Sequence, residues 1–265
     1  MSESIIYIYG IVGADTALAG APAGLEEAPV ELVREGELAA LVSRLPAAAY
    51  GRERVEALVG DVAWLGGRAV AHDGVITWAS ARGGIVPTPM FTLYSDTGAV
   101  QEMLRAQREE LARTLAHVAQ GEEYGVRLFR VQELLERQLP ALSPQLAKLE
   151  AQARDASPGQ RYLLERKLEA ERLSEMRRVS RDVAREVYDA LAPQAMGAVR
   201  EPLPRAEGEA EAGMAVLNAY FLVRRGTLEP FRRSLTELAS RYGPRGFRVE
   251  FTGPWPPYHF VRPAS

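Results

Sequence analysis

The feature that most limits how this chain can fold is a proline-dense segment that follows its last predicted strand. An alternating run at residues 247–251 leads into three prolines within four residues, beginning at Pro254. Each proline fixes its own φ and lacks a backbone donor, so we expect the strand to stop before them. The residue before a proline is also held in extended geometry. Trp255 and Tyr258 are therefore predicted to stand on a stiff backbone beside a sheet edge.

Such a rigid aromatic pair has two possible roles. It covers the core of its own domain, which is what buried aromatic side chains mostly do, or it docks a partner. In the second case the candidate partner-contact residues are Trp255, Pro256, Pro257 and Tyr258. The sequence leaves both roles open, and measurements of stability beside measurements of partner binding separate them.

Composition excludes several classes of protein. A chain of 265 residues is long for a single core and natural for two, and 47% hydrophobic with 25% charged residues is typical of soluble globular proteins. A net charge of −3 gives no basic surface for nucleic acid. No apolar run reaches the roughly 18 residues of a membrane span, and no secretion signal is evident, so we expect a cytoplasmic protein. The lack of cysteine excludes disulfides and thiol catalysis.

The first half of the chain mixes strands and helices. Apolar runs predict a strand at residues 5–12 and a hairpin at residues 30–42 around Gly36. Helical periodicity follows at residues 52–71, and Asp73-Gly74 is interpreted as a turn before short strands at residues 75–78 and 84–87. A further helix is expected from Asp96 to about residue 119. We interpret residues 1–121 as an N-terminal α+β domain.

The second half of the sequence predicts six elements in the order strand, helix, strand, strand, helix, strand. The predicted strands lie at residues 125–131, 199–203, 214–223 and 247–251, and the helices at residues 158–190 and 227–242. Residues 140–158 are polar and interrupted by proline, so no element is predicted before the long helix that opens at Ser157-Pro158. This order is that of the ferredoxin-like fold. We therefore predict an α+β protein whose second domain, residues 122–265, is ferredoxin-like with a long helix and a proline–aromatic tail.

The segment at residues 205–213 is acidic and marked by proline and glycine. It has little apolar surface to bury, so it is expected to be a mobile loop.

No catalytic, cofactor-binding or metal site is predicted. The three histidines, His72, His117 and His259, are far apart in the sequence and lack the local spacing of metal ligands. No phosphate-binding loop and no nucleophile elbow occur. These observations favour a binding or structural protein over an enzyme. The alternative is a ferredoxin-like small-ligand enzyme or sensor that uses a cleft between the domains.

A resemblance to a known family rests on several segments in order. Residues 252–261, Thr-Gly-Pro-Trp-Pro-Pro-Tyr-His-Phe-Val, resemble the closing segment of the gas vesicle protein F/L family of gas vesicle synthesis proteins. Residues 7–12, Ala71-His72 with residues 87–90, residues 157–164 and residues 216–223 are similar to further segments of that family. The resemblance covers nearly the whole chain.

This resemblance implies a function that the residues alone do not give. It implies an accessory or minor structural protein of gas vesicles, located at the vesicle within the cytoplasm. Its implied partners are the small shell subunit, gas vesicle protein A, and other gas vesicle accessory proteins. It implies no enzymatic activity, no cofactor, no nucleic acid and no membrane. A subunit that faces a gas-filled lumen must expose apolar surface, and such surface aggregates in water unless another protein shields it.

Overall fold

The computed structural model of the chain describes residues 4–58, 60–203 and 213–261. Two four-stranded sheets accompanied by helices confirm the α+β class. The chain divides into two compact units, Met1–Glu123 with Pro254–Ser265 and Tyr124–Gly253. The junction lies close to the predicted boundary at residue 122. The tail, however, belongs to the first unit and not to the second domain where we expected it, because Tyr258 and His259 bond to Asp73 and Glu123.

The sheet of the first unit has the strand order β2-β3-β1-β4. The strand β1 is central and pairs antiparallel with both β3 and β4. The predicted hairpin at residues 30–42 is confirmed as β2 and β3. The strands and helices of this unit, in chain order, are β1 (Ser4–Gly13), β2 (Glu31–Glu35), β3 (Leu38–Pro46), α1 (Ala47–Tyr50), α2 (Arg52–Leu58), α3 (Val62–Ser80), β4 (Val86–Tyr94), α4 (Thr97–Ala106) and α5 (Arg108–Val118).

Helices cover both faces of this sheet, which explains why β1 is apolar along its whole length. Tyr7 and Tyr9 pack in the cluster that includes α3, whereas Ile6 and Ile8 pack in the cluster that includes α4 and α5. A bulge follows Ile8 in both strand pairings and passes through Gly10. A Cβ at Gly10 would lie 2.6 Å from the side chain of Ile85, so only glycine permits this close approach.

The turn predicted at Asp73-Gly74 and the strand predicted at residues 75–78 are wrong. Both lie inside α3, whose start is capped by Asp61 accepting from the backbone N–H groups of Ala63 and Trp64. A short apolar run such as Val75-Ile76 fits a strand and a buried helix equally well by pattern. Burial of this run against the sheet selects the helix and outweighs the glycine at position 74.

The second unit contains the other sheet, with the strand order β6-β7-β5-β8. The strand β7 is almost wholly apolar and lies inside the sheet, as predicted. The order of strands and helices agrees with the prediction apart from two extra helices, and the ferredoxin-like assignment stays our interpretation. The elements, in chain order, are β5 (Gly121–Arg130), α6 (Gln132–Leu142), α7 (Pro144–Asp155), α8 (Pro158–Leu191), β6 (Gly197–Arg200), β7 (Met214–Arg224), α9 (Leu228–Tyr242) and β8 (Phe247–Trp255).

The two extra helices, α6 and α7, occupy residues where the sequence predicted none. Pro144 stands in the first turn of α7, where its missing donor costs nothing, and the Ser143 hydroxyl caps that helix by accepting from the backbone N–H of Leu146. Buried leucines such as Leu139 and Leu146 hold both helices to the core of this unit. The long helix α8 spans 34 residues and begins at Pro158, as predicted.

The final strand continues beyond the point where we predicted its end. β8 extends through Pro254 to Trp255, with Gly253 at φ +115°. The strand is at the edge of its sheet, where a proline can direct its missing donor away from the neighbouring strand. The acidic segment predicted to be mobile lies outside the described residues, except for Gly213.

Candidate docking site at the C-terminal tail

The tail divides the four candidate contact residues into two pairs. Pro256 and Pro257 are buried. The side chains next to them, Trp255 and Tyr258, are 46% and 39% exposed. Because large aromatic rings are seldom left this open in a domain core, the exposure favours docking over the lid role. The prolines fix the backbone, and the aromatic rings provide the accessible surface.

Two polar contacts hold the tail in the first unit. The Tyr258 hydroxyl donates a hydrogen bond of 2.6 Å to Oδ1 of Asp73. The backbone N–H of His259 donates to Oε2 of Glu123 at 3.0 Å, and its Nδ1 lies 2.6 Å from Oε1 of the same carboxylate. Glu123 is only 1% exposed, so the tail supplies the donors that this buried carboxylate requires.

The hydroxyl of Tyr258 stays protonated over the physiological range. Burial of part of the ring, and then the hydrogen bond to Asp73, raise the pKa of Tyr258. The hydroxyl therefore remains the donor and Asp73 the acceptor.

A groove of about 350 Å³ lies beside Tyr258 in the same unit. One wall is the start of β4, and the others are formed by the tail and by α3. Its lining is mainly apolar, with two prolines and a methionine in the β4 wall. The residues that line it are His72, Pro87, Thr88, Pro89, Met90, Tyr258 and Val261.

Beneath this groove, a chain of hydrogen bonds fixes His72. The Tyr7 hydroxyl lies 2.8 Å from Nδ1 of His72, and Nε2 of His72 lies 3.2 Å from the carbonyl oxygen of Thr88. A carbonyl can only accept, so Nε2 carries the proton and Nδ1 accepts from Tyr7. The Tyr7 oxygen in turn accepts from the backbone N–H of Phe91 at 3.4 Å, and the Thr88 hydroxyl donates to the carbonyl of Ile8 at 2.9 Å.

Burial also fixes the charge of this histidine. It lowers the pKa of His72, and the hydrogen bond to the Thr88 carbonyl opposes this shift only in part. His72 is therefore neutral at neutral pH. Since both ring nitrogens are engaged, neither is available to act as a general base toward a molecule in the groove.

The described residues bring no set of metal-ligating groups together. Within residues 4–58, 60–203 and 213–261, no three His, Cys, Asp or Glu side chains gather in a way that could hold a metal ion. His72 forms buried hydrogen bonds, His259 bonds to the buried Glu123 carboxylate, and His117 lies in the last turn of α5. Over the same part of the chain, no helix is both long enough and apolar enough to cross a membrane.

Sequence reasoning missed the residues that anchor the tail. Asp73 was interpreted as part of a turn, and Glu123 was placed at the start of the predicted second domain. Neither residue type nor spacing indicates that they bond to residues 185 and 136 positions away. The segments around His72 and residues 87–90 were singled out only through the family resemblance, and the structure brings them together at one groove.

Comparison with known proteins identifies the family. Residues 5–262 match the family described as gas vesicle synthesis protein GvpL/GvpF. The chain belongs to the GvpL/GvpF family. Gas vesicle protein L of Streptomyces sp. (strain CB03234) is 30% identical over 270 residues, which cover 98% of this chain and 94% of that protein. Gas vesicle protein L2 of Halobacterium salinarum is 26% identical over 265 residues, covering 96% and 90%.

Crystal structures of two GvpF proteins share the GvpL/GvpF fold with this chain. GvpF from Anabaena sp. PCC7120 superposes with a TM-score of 0.72 at 18% identity, over 99% of this chain and 100% of that one. GvpF from Microcystis aeruginosa superposes with a TM-score of 0.66 at 14% identity, over 98% and 100%. At these identities the likeness establishes the fold alone.

Proposed function

We propose that this protein is a non-enzymatic accessory protein of gas vesicle assembly, which binds the small shell subunit, gas vesicle protein A, at the vesicle within the cytoplasm. The observation that carries this proposal is the match to the gas vesicle synthesis family over residues 5–262. The match takes in both units and the tail, so the proposal draws on the whole described protein and not on one shared motif.

Surface chemistry supports a protein partner. The shell subunit must present apolar surface to a gas-filled lumen, and before assembly such surface needs a covering protein. Trp255 and Tyr258 offer exposed aromatic area on a backbone that the neighbouring prolines stiffen, so little entropy is lost on contact. We propose these two rings as the contact residues, with Pro256 and Pro257 as their support.

A binding assay between purified proteins tests this proposal. The full chain, immobilised, is expected to retain the shell subunit, and Trp255→Ala is expected to weaken retention. Tyr162→Ala is the matched control, because Tyr162 is an exposed aromatic residue of α8, 62% accessible and outside the tail. Equal retention by both variants and the wild type would remove the tail from the contact, and no retention by the wild type would refute the partner.

The alternative of a ferredoxin-like small-ligand enzyme or sensor gains no specific support. The histidine that lines the tail groove has both ring nitrogens engaged. No group of His, Cys, Asp or Glu side chains that could hold a metal ion is seen in the part of the chain that the structure describes.

A further inference from the structure

The second unit carries a groove that the tail does not reach. It lies between α6 and α8, encloses about 580 Å³ and is lined by residues of these two helices. The lining residues are Glu133, Glu136, Arg137, Glu169, Arg172, Leu173 and Met176. Grooves between two helices are a common receptor for a third helix.

The groove contains an apolar side chain that is open to solvent. Leu173 is 54% exposed, although it lies one turn before the buried Met176 on α8. An exposed leucine elsewhere on the surface requires no explanation, but one that lines a groove between two helices provides a site for an apolar side chain.

The charged residues that line the groove carry more negative than positive charge. Both arginines already have carboxylate partners: Arg172 bonds to Glu150 at 3.0 Å, and Arg137 lies 3.9 Å from Glu133. Among the described residues, Glu136 and Glu169 form no ion pair. The Glu136 carboxylate accepts a hydrogen bond only from Gln132, a neutral amide. Two carboxylates without an ion-pair partner thus lie beside the exposed side chain of Leu173.

We infer that this groove docks a basic amphipathic helix of another protein, with an apolar residue over Leu173 and Met176 and Lys or Arg residues at Glu136 and Glu169. A helix fits because the walls are themselves helices, so its ridges can lie in the space between them. A basic helix fits because it would supply the two charges that the groove lacks. This inference goes beyond the proposed function, since it concerns another surface and does not depend on the identity of the partner at the tail.

A peptide probe tests the charge requirement. A fluorescent amphipathic helix built from Leu and Lys is titrated with the full chain, and its Leu/Glu counterpart serves as the negative probe. Binding is expected for the Lys peptide alone and should weaken with added salt. Glu169→Lys is expected to raise the Kd about tenfold, since one attraction becomes a repulsion of similar size.

The control for charge is Glu237→Lys. Glu237 is an exposed residue of α9 outside the groove, and the substitution alters the net charge of the chain by the same amount. An equal loss in Glu169→Lys and Glu237→Lys would show that the peptide follows net charge, and it would overturn the inference.

A second pair of variants tests the apolar floor. Leu173→Ser is expected to weaken the Lys peptide, whereas Leu163→Ser, on the same helix but not lining the groove, is expected to leave it unchanged. Circular dichroism confirms that both variants stay folded. If light scattering shows that the chain dimerises, and if Leu173→Ser abolishes the dimer, the occupant is a second copy and the inference is wrong.

Discussion

At the scale of single residues, the hydrogen-bond chain through Tyr7 and His72 is the most consequential feature that the sequence did not predict. It links β1, α3 and β4 below the tail groove. Every residue of this hydrogen-bond network is buried or nearly so. A buried polar group that is left without its partner costs about 1–3 kcal/mol of stability. The shape of the groove therefore depends on these hydrogen bonds.

Removal of the Tyr7 hydroxyl tests how much these hydrogen bonds stabilise the protein. Tyr7→Phe leaves Nδ1 of His72 and the N–H of Phe91 without their partner, so we expect the free energy of unfolding to fall by about 1–3 kcal/mol. Tyr94→Phe is the control, because its hydroxyl forms no hydrogen bond within the described residues. Urea denaturation measures both. A Tyr7→Phe variant as stable as Tyr94→Phe would contradict the buried chain.

Titration of His72 predicts a pH dependence of stability. Its pKa is lowered in the folded protein, whereas in the unfolded chain it returns to about 6.5. Between these values the unfolded state binds more protons, so stability rises with pH. The contribution is complete above about pH 6.5 and is lost as the pH falls toward the lowered pKa of His72.

Thermal unfolding between about pH 7 and pH 5 measures this slope, a range that spans the ordinary histidine pKa. We expect His72→Gln to flatten it, and His117→Gln, at an exposed position in the last turn of α5, provides the comparison. An identical slope in the wild type and His72→Gln would show that His72 does not titrate as inferred.

The aromatic residue Trp255 yields a prediction that separates its two candidate roles. Because its side chain is 46% exposed, Trp255→Ala should cost only about 1–2 kcal/mol of stability, less than the 3–5 kcal/mol typical of a buried tryptophan. Partner binding should fall by more than this loss explains. If chemical denaturation shows a loss of stability typical of a buried tryptophan, Trp255 covers the core of its own unit.

At the scale of elements, the sequence predicted those whose periodicity is long and unbroken. The helix α9 and the strand β7 agree with their predictions, since α9 keeps a helical period and β7 is a continuous apolar run along its whole length. The second half of α3 and both of the helices α6 and α7 were missed. In these segments glycine, proline or short apolar runs disguise the pattern, and burial against other elements decides the structure.

The candidate site was predictable only in part. The proline spacing predicts a stiff tail with aromatic side chains. It could not indicate that Pro256 and Pro257 would be buried and Trp255 exposed, because burial depends on what the tail packs against. Asp73 and Glu123, which anchor the tail, are distant in sequence and carry no local signal.

The long helix α8 should be unevenly stable. Residues 158–167 contain no buried side chain, whereas Val179, Val183 and Val187 are buried in the core of the second unit. We expect amide hydrogens of residues 160–166 to exchange much faster than those of residues 176–190, because local opening there exposes little apolar surface. Hydrogen exchange with mass spectrometry measures the gradient. Uniform protection along α8 would mean that another surface covers its first turns.

At the scale of the whole molecule, the fold persists where sequence identity is low. The two GvpF crystal structures superpose on nearly all of this chain at 18% and 14% identity. What such distant chains can share is the pattern of buried positions, since many different apolar residues can fill a core of the right volume. The family match covers both units and the tail, so the proposed function rests on the whole protein.

The most direct test of the central claim is a flotation assay for gas vesicles. A vesicle-forming strain that lacks this protein is complemented with the wild type, the Trp255→Ala/Tyr258→Ala double variant or the control Tyr162→Ala. Immunoblots confirm equal amounts of the three proteins, so a difference in flotation reports function and not abundance. We predict buoyant cells with the wild type and Tyr162→Ala, and few or none with the double variant. Normal flotation without any copy of the protein would contradict a role in assembly.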